Sequence, residues 1–560
     1  MVNIAACLPQ IAAQQPDAIA VCMPAGRNAD GSVAYQRTTY RQLDEYSNVI
    51  AKGLAAIGIG QGVRAVLMVP PGPHFFALAF GMAKAGVVPV MVDPGLPLKH
   101  LKTCIGEAEP QAFIGSPKAH AARVLFGWGR KSLRVNVTVG GPAFCGGVRG
   151  VGWKHLVRQG ESSTAVAMAN TRAEDLAAIL FTSGSTGVPK GAAYTHGNFA
   201  GQVGLLRQIA GVGVGEVDLP TFPLFALFDP ALGMTTVVPQ MDFTKPARAN
   251  PELLVQAMAS QGVTNMFASP ALLGALVRWA LPRGQKLHGL KRVVSAGAPV
   301  PPKVVAQMVS LMQPGGRVVT PYGATEALPV TCIDSDELFE RGDRSAQGGG
   351  VCVGKPVSGV QVALVPIHDE PIAAWDESLC LPVGSLGEIV VRGPQVTRSY
   401  WARPGATALA KIPVTDSELF WHRMGDIGYF DPEGYLWFCG RKSHRVVKDA
   451  STTWFSIPCE GVFNAHPLVR RTALVGVRNH GEVQPVICVE LEPEAQVERT
   501  GGKHEVPKRL RDELCALGAA HTNTKEITQF LLHPGFPVDI RHNAKIGREA
   551  LAVWAQGLVR

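Results

Sequence analysis

One short stretch constrains this chain more than any other: Leu180 to Gly191, LFTSGSTGVPKG. The apolar run Leu176 to Leu180 leads into it and predicts a buried strand. Thr182, Ser183, Gly184, Ser185, Thr186 and Gly187 follow, none of them bulky, before the stretch closes on Pro189, Lys190 and Gly191. Glycine takes positive φ at little cost and lets a ligand approach the backbone. The hydroxyls and bare N–H groups of such a turn suit an anion, and Lys190 adds a positive charge. The stretch predicts a phosphate-gripping loop. It is not the G-x-x-x-x-G-K-[ST] loop, because Lys190 follows a proline and precedes Gly191. SGSTG alone would serve equally as a flexible connector; TSGSTGVPKG as a whole does not read that way.

Ahead of the loop, helical and strand-like runs alternate. Ala51 to Ile57 and Phe75 to Ala85 predict helices, and Arg64 to Val69 and Val87 to Val92 predict strands. Pro70-Pro71-Gly72 and Asp93-Pro94-Gly95 punctuate them. Such alternation argues for a parallel α/β sheet with crossover helices. The Gly-rich segment Asn136 to Gly152 reads as a loop, as does the charged segment Arg341 to Gly350. At 560 residues the chain exceeds what one core holds, so two or more domains are expected. Val353 to Val362 and Gly387 to Val391 read as short strands of a smaller β subdomain, and Tyr435 to Arg441 (YLWFCGR) as a strand running into Gly-Arg. The boundary is expected just after Arg441, giving residues 1–441 and 442–560.

Two further stretches put small residues at strand ends. VTNMFASP (Val263 to Pro270) and RVVSAGAP (Arg292 to Pro299) leave room there for a flat ligand such as a purine. TPYGATE (Thr320 to Glu326) brings together a ring, a hydroxyl and a carboxylate. Tyr322 can stack on a base, Thr325 can bond a phosphate, and Glu326 can hold Mg²⁺, which takes oxygen ligands and bridges phosphates. Alone, it would be a turn with a capping threonine. Leu219 to Thr236 (LPTFPLFALFDPALGMTT) is rich in Phe222, Leu224, Phe225, Leu227, Phe228, Leu232 and Met234. Core packing accounts for most such side chains, and the remainder suggests an apolar pocket wall. His196, in YTHGN after the loop, reads as a structural histidine.

TSGSTGVPKG, SAGAP, TPYGATE, Met424-Gly425-Asp426 with YLWFCGR, and DIRHNAKIGR (Asp539 to Arg548) resemble the ordered motifs of the adenylate-forming superfamily. The resemblance implies activation of a carboxylate by ATP, giving acyl-AMP and pyrophosphate. It implies an α/β fold: a large N-terminal domain with parallel α/β sheets and a β subdomain, and a small mobile α+β C-terminal lid. It places Thr182 to Gly187 and Lys190 on the phosphates, Gly297, Ala298 and Pro299 beside adenine with Tyr322, Gly323 and Ala324, and Thr325 on the α-phosphate. Glu326 would hold Mg²⁺, Asp426 would accept from both ribose hydroxyls, and Arg441 would contact the ribose. Lys545 matches the lysine that reaches back into the site during adenylation; without the other motifs it would read as a solvated lysine.

Where the chain departs from that pattern is informative. In acyl-CoA synthetases of the superfamily the lid turns about an acidic or lysine hinge residue, then admits coenzyme A past a loop glycine. Here Ser443 falls at the hinge and Thr453 at the glycine, and a histidine that many carry near Ala226 is absent. The two lid departures concern the second half-reaction, whereas the adenylation motifs are intact. A substrate with its own 3-hydroxyl needs no thiol, because internal attack on the adenylate gains from proximity and yields a β-lactone. Through PTFPLFALFDPALGMTT, TPYGATEALPV and DIRHNAKIGR the chain looks most like the β-lactone synthetases of bacterial long-chain olefin biosynthesis. That resemblance implies a long-chain 2-alkyl-3-hydroxy acid as substrate and other enzymes of an olefin-biosynthesis assembly as partners. The alternative is a long-chain fatty acyl-CoA synthetase or acyl-AMP ligase, which coenzyme A dependence would separate. A catalytically inactive acyl or nucleotide sensor is opposed by intact Lys545, Glu326 and Asp426.

Composition excludes several other classes. With 53 Lys+Arg against 44 Asp+Glu the net charge is +9, but no dense basic run with interleaved aromatics is present; RVLFGWGRKSLR, Arg123 to Arg134, comes nearest. Nucleic acid is therefore not expected as a partner, and loose membrane association stays open. No run of some eighteen apolar residues predicts a transmembrane helix, and the N-terminus lacks the basic region of a secretory signal, so a cytoplasmic location is expected. The 11 cysteines lack ligand spacing and read as free thiols.

Overall fold

A computed structural model describes residues 2–93, 96–182, 189–492, 495, 502, 504–538 and 545–559. Two large sheets form its frame. In the first, parallel strands Gly150–Gly152, Val135–Thr138, Ala112–Gly115, Arg64–Met68, Val88–Met91 and Leu176–Thr182 lie side by side in that order. Antiparallel Lys190–Thr195 and Ser399–Tyr400 close the edge. Helices Tyr40–Ala56 and Phe75–Lys84 pack on this sheet through Ile50, Leu54, Leu78 and Met82. Thr39 and Gln42 form a capping box that starts the first of these helices. At Gly53 a Cβ would meet the Leu156 carbonyl oxygen at 2.3 Å, so only glycine lets this helix approach the helix Trp153–Ser162 so closely.

The alternation read between Ala51 and Val92 is thus present, but the segment Asn136 to Gly152 is not the expected loop. It supplies most of the strand Val135–Thr138 and all of Gly150–Gly152, joined through the 3-10 turn Ala143–Arg149. A strand spelled Gly-Val-Gly has one side chain beyond hydrogen, too few for a period-2 signal; its neighbours impose it.

The second sheet runs Val33–Thr39, Ile19–Arg27, Thr235–Val237, Val217–Pro220, Asn265–Phe267, Arg292–Val294, Arg317–Ala324, Ala327–Asp334 and Lys355–Pro356. It is parallel from Ile19–Arg27 through Arg317–Ala324 and antiparallel at both edges. A third, antiparallel sheet orders Val351–Cys352, Leu436–Arg441, Phe420–Phe430, Gly387–Arg392 and Gln361–Val365, with Lys411–Pro413 beside Phe420–Phe430. The run Val353 to Val362, expected as strand of the β subdomain, is therefore divided: Lys355–Pro356 joins the second sheet and Gln361–Val365 the third. Arg341 to Gly350 contains the 3-10 turn Gly342–Ser345.

After Arg441 the hairpin Val469–Asn479 and Glu482–Leu491 pairs with Gln529–Leu532. Helices Ser456–Asn464, Lys508–Ala519 and Arg548–Gln556 accompany it, and Phe463, Leu474, Ile487, Leu510 and Leu514 share a core. All 11 cysteines are free, and no helix among the described residues is long and apolar enough to cross a membrane.

Candidate active site

Residues just past the C-terminal ends of strands in the second sheet meet residues of the other sheets around one cavity of about 1480 Å³. From the first sheet comes Lys190, whose backbone pairs with Thr182 across the hairpin. Ser183, Gly184, Ser185, Thr186 and Gly187 lie outside the described residues, and of Thr182 only the backbone is described. The second sheet contributes Gly297, Gly323, Ala324, Thr325 and Glu326 to the lining; Ala298 and Pro299 are not part of it, whereas Ala296 is. Gly297 takes φ 95°, which admits little else, and a Cβ at Gly323 would meet the Ala327 carbonyl oxygen at 2.5 Å. The third sheet adds Gly425 and Arg441.

Asp426 and Arg441 face each other across adjacent strands, and Asp426 is only 3% exposed. The Tyr322 hydroxyl donates to Asp426 Oδ2 at 2.6 Å, and Arg441 Nε lies 3.2 Å from Oδ1. Oδ1 nonetheless accepts no hydrogen bond, leaving a buried acceptor in want of a donor. Burial pushes the Asp426 carboxyl above its ordinary value, against Arg441, Tyr322 and Lys545.

Around Glu326 a second polar group assembles. Its Oε1 accepts from the Tyr400 hydroxyl at 2.7 Å, and the Lys190 ammonium lies 5.1 Å from the centroid of the Tyr400 ring. The Thr325 carbonyl accepts from the Tyr194 hydroxyl, and the Glu326 carbonyl accepts from Thr397 N at 2.9 Å. Buried Lys411 donates to the Thr397 carbonyl; burial brings its pKa down to about 7, with Glu326 opposing. His422 lines the cavity with Nδ1 3.1 Å from the Ala410 carbonyl, so that nitrogen is the donor and Nε2 keeps its lone pair. Burial, with Lys411 next, holds His422 well below the usual histidine range and therefore neutral. Sequence reading missed Tyr194, Tyr400, Lys411 and His422. His422 stands on the strand Phe420–Phe430, four residues before Asp426 and across an irregular stretch at Gly425, so no simple alternation singled it out. His196, read as structural, is 1% exposed and its Nδ1 accepts from Ile4 N at 3.2 Å.

Lys545 comes from the far end of the chain and lines the same cavity. Asp539 to Ala544 lie outside the described residues, but the three residues after Lys545 are firmly held. Ile546 bridges Val538, Gly547 N donates to the Pro537 carbonyl at 2.8 Å, and Arg548 forks onto buried Glu460 at 3.0 and 2.5 Å. Ser443 also lines the main cavity. Thr453 does not: it pairs with Val447 and borders a separate cavity of about 390 Å³ with Cys439 and Cys459.

Much of the rest of the main cavity is apolar. Phe222, Leu224, Phe225, Leu227, Phe228 and Ala231 line it, and Phe225 stacks on Phe267 at 3.8 Å between centroids. Ala226, Leu232 and Met234 from the same stretch are buried instead. Phe80, Met91, Leu101 and Trp128 line the cavity as well.

A family model described as AMP-binding enzyme matches residues 8–401, most of the chain. The chain belongs to the AMP-binding enzyme family. Over nearly its full length it is similar to two proteins named olefin β-lactone synthetase. The one from Xanthomonas campestris is 51% identical over 99% of this chain and 97% of its own. The one from Stenotrophomonas maltophilia is 50% identical over 99% and 98%. Among solved structures, an amide bond synthetase of Marinactinospora thermotolerans matches with TM-score 0.77 and 23% identity over 99% of both chains. ATP-bound MatB from Rhodopseudomonas palustris matches with TM-score 0.75 and 20% identity over 100% of both. At that identity the structural likeness speaks for the fold alone.

Proposed function

We propose that this AMP-binding enzyme is an ATP-dependent β-lactone synthetase acting on a long-chain 2-alkyl-3-hydroxy acid. Full-length identity of 50–51% to two olefin β-lactone synthetases carries the reading. The cavity supports it, because a polar end for a nucleotide continues into an apolar arm for alkyl chains. In this reading the substrate carboxylate attacks the α-phosphorus of ATP and pyrophosphate leaves. Lys545 and Lys190 supply positive charge where negative charge develops, the Thr325 hydroxyl bonds the α-phosphate, and Ser183 to Gly187 grip the phosphates. The unsatisfied Asp426 Oδ1 accepts a ribose hydroxyl while Arg441 holds the carboxylate in place. Ala296 and Gly297 flank the adenine together with Gly323 and Ala324. Among the described residues no cluster of three His, Cys, Asp or Glu could hold a metal alone. A lone Glu326 instead suits Mg²⁺, which bridges nucleotide phosphates and neutralises their charge.

In the second step the 3-hydroxyl oxygen attacks the acyl carbonyl carbon and gives up its proton to solvent, and AMP leaves as its phosphate anion, closing the four-membered ring. Residues 442–560 act as a mobile lid that delivers Lys545. Ser443 and Thr453 fit a lid that no longer opens a path for coenzyme A. Incubation with ATP, Mg²⁺ and a 2-alkyl-3-hydroxy acid should give a product lighter than the acid by one water, with AMP and pyrophosphate in equal amounts. Recovery of the free acid alone beside AMP would refute the reading.

A further inference from the structure

The excess positive charge of this chain is not spread over its surface. Between Glu109 and Glu161 there is no Asp or Glu and there are eight Lys or Arg, nearly the whole of the net +9. Lys118, Arg130, Lys131, Arg134 and Arg149 of this stretch are exposed. Among these cations stand four large apolar side chains turned to solvent: Val124 at 68%, Leu125 at 76%, Phe144 at 79% and Val148 at 108%. A scattered apolar residue needs no explanation, but four of them on two adjoining elements, in a stretch whose only charges are positive, do.

The cluster is built on a fixed platform. Val124 and Leu125 belong to the helix Pro117–Phe126, and Phe144 and Val148 to the turn Ala143–Arg149. Arg123 of the helix donates to the Gly146 carbonyl of the turn at 3.3 Å, and Arg149 donates to the Leu133 carbonyl at 2.9 Å. His120 ties the helix to the Val137 carbonyl at 3.0 Å. The helix also has a second role. Lys118, Ala119 and Ala122 line the main cavity, so one helix separates the apolar arm from this surface.

We propose that this face docks on an anionic lipid bilayer, with Val124, Leu125, Phe144 and Val148 entering the headgroup boundary and the surrounding cations meeting the lipid charge. The docking follows from the surface alone. That it holds the apolar arm near the membrane source of a long-chain acid rests on the function proposed above. A partner with anionic heads over an apolar interior matches both halves of the patch, whereas nucleic acid would leave the apolar side chains without a role.

Cosedimentation of the full chain with vesicles tests the proposal. Phosphatidylcholine vesicles containing phosphatidylglycerol should pellet the protein, pure phosphatidylcholine should do so far less, and salt should release it. Lys131→Glu with Arg134→Glu should weaken the partition by about tenfold or more, since each cation near an anionic surface counts. Phe144→Ser with Val148→Ser should weaken it too, and turnover of a short, water-soluble 3-hydroxy acid should stay unchanged in both variants. Equal pelleting of all three proteins, or none of the unaltered protein, would overturn the proposal. So would a monomer–dimer shift in the Phe144→Ser variant without loss of vesicle binding, or binding to DNA in place of vesicles. Vesicle binding with no lactone formed from any acid would leave the docking intact and fail the function instead.

Discussion

At the polar end of the cavity, charged groups come in partnered sets drawn from distant parts of the chain. Asp426 meets Tyr322 and Arg441, Glu326 meets Tyr400, and Lys545 arrives from a C-terminal segment pinned by Arg548 on Glu460. In the apolar arm one contiguous stretch supplies much of the wall, and its rings rest on one another, as Phe225 does on Phe267. The two ends should therefore fail differently. Electrostatic stabilisation in a dry site depends on position, so losing one group is costly. Apolar contact scales with area, so losing one ring costs a share.

The largest effect is expected at Lys545. Lys545→Ala should slow pyrophosphate release by about 10²-fold or more, the scale of removing one transition-state donor, with folding unchanged. Release at the unaltered rate would take the lysine out of the site and with it the contrast between the two ends. Next comes Asp426→Ala, which should cost roughly 1.5–3 kcal/mol of ATP binding, as for a charge-assisted hydrogen bond. With 2′,3′-dideoxy-ATP the two proteins should bind alike, because the partner is already missing; an equal loss there would show that the carboxylate serves Arg441 rather than the ribose.

In the arm, Phe225→Ala should raise KM for a long-chain acid roughly tenfold, in line with about 1.5–3 kcal/mol for a fully buried large side chain and a smaller share for one half-buried. KM for ATP should not move. A matching rise for a short-chain acid would mean that Phe225 shapes the polar end instead.

How much of this was readable beforehand depends on how the chemistry is laid out along the chain. TPYGATE was legible because a ring, a hydroxyl and a carboxylate stand within one strand end and its turn. Tyr194 and Tyr400 were not, since each meets Thr325 or Glu326 through a hydrogen bond that only the folded chain makes. Lys411 joins them through Thr397, whose N–H bonds the Glu326 carbonyl. Ser399–Tyr400 itself adds to Lys190–Thr195 across some two hundred residues of chain. The stretch Leu219 to Thr236 shows the same limit at short range. Phe225 and Phe228 line the arm while Ala226 and Leu232 are buried, and composition cannot sort them, because a 3-10 turn runs directly into a short helix there. The Gly150–Gly152 strand was hidden by having almost no side chains to read.

The smallest effect tests whether the arm is as free of electrostatics as it looks. The helix that carries Phe228 and Ala231 also carries buried Asp229, which accepts from Thr236 Oγ1 at 3.0 Å and whose carboxyl pKa is raised by burial and by neighbouring buried Asp218. Burial pushes Asp218 up to about 7 from an ordinary 3.8. Between those values the folded protein binds the proton that the unfolded chain has lost, so stability falls as pH rises through the window. Asp218→Asn can still accept from Asp229 through its amide oxygen, and should lessen the fall of Tm between about pH 4 and 7 while leaving KM for ATP unchanged. An unaltered Tm profile would show that this pair does not set the stability of the helix.

The central claim is that this AMP-binding enzyme finishes its reaction with the substrate's own hydroxyl. The most direct test compares a long-chain 3-hydroxy acid with its 3-deoxy analogue, each with ATP and Mg²⁺, with and without coenzyme A, following the acyl products by mass. The hydroxy acid should give a cyclic product, formed at the same rate with or without the thiol. The deoxy acid should stop at bound acyl-AMP or leak slowly to hydrolysis. Rapid formation of an acyl-CoA thioester from the deoxy acid would contradict the claim.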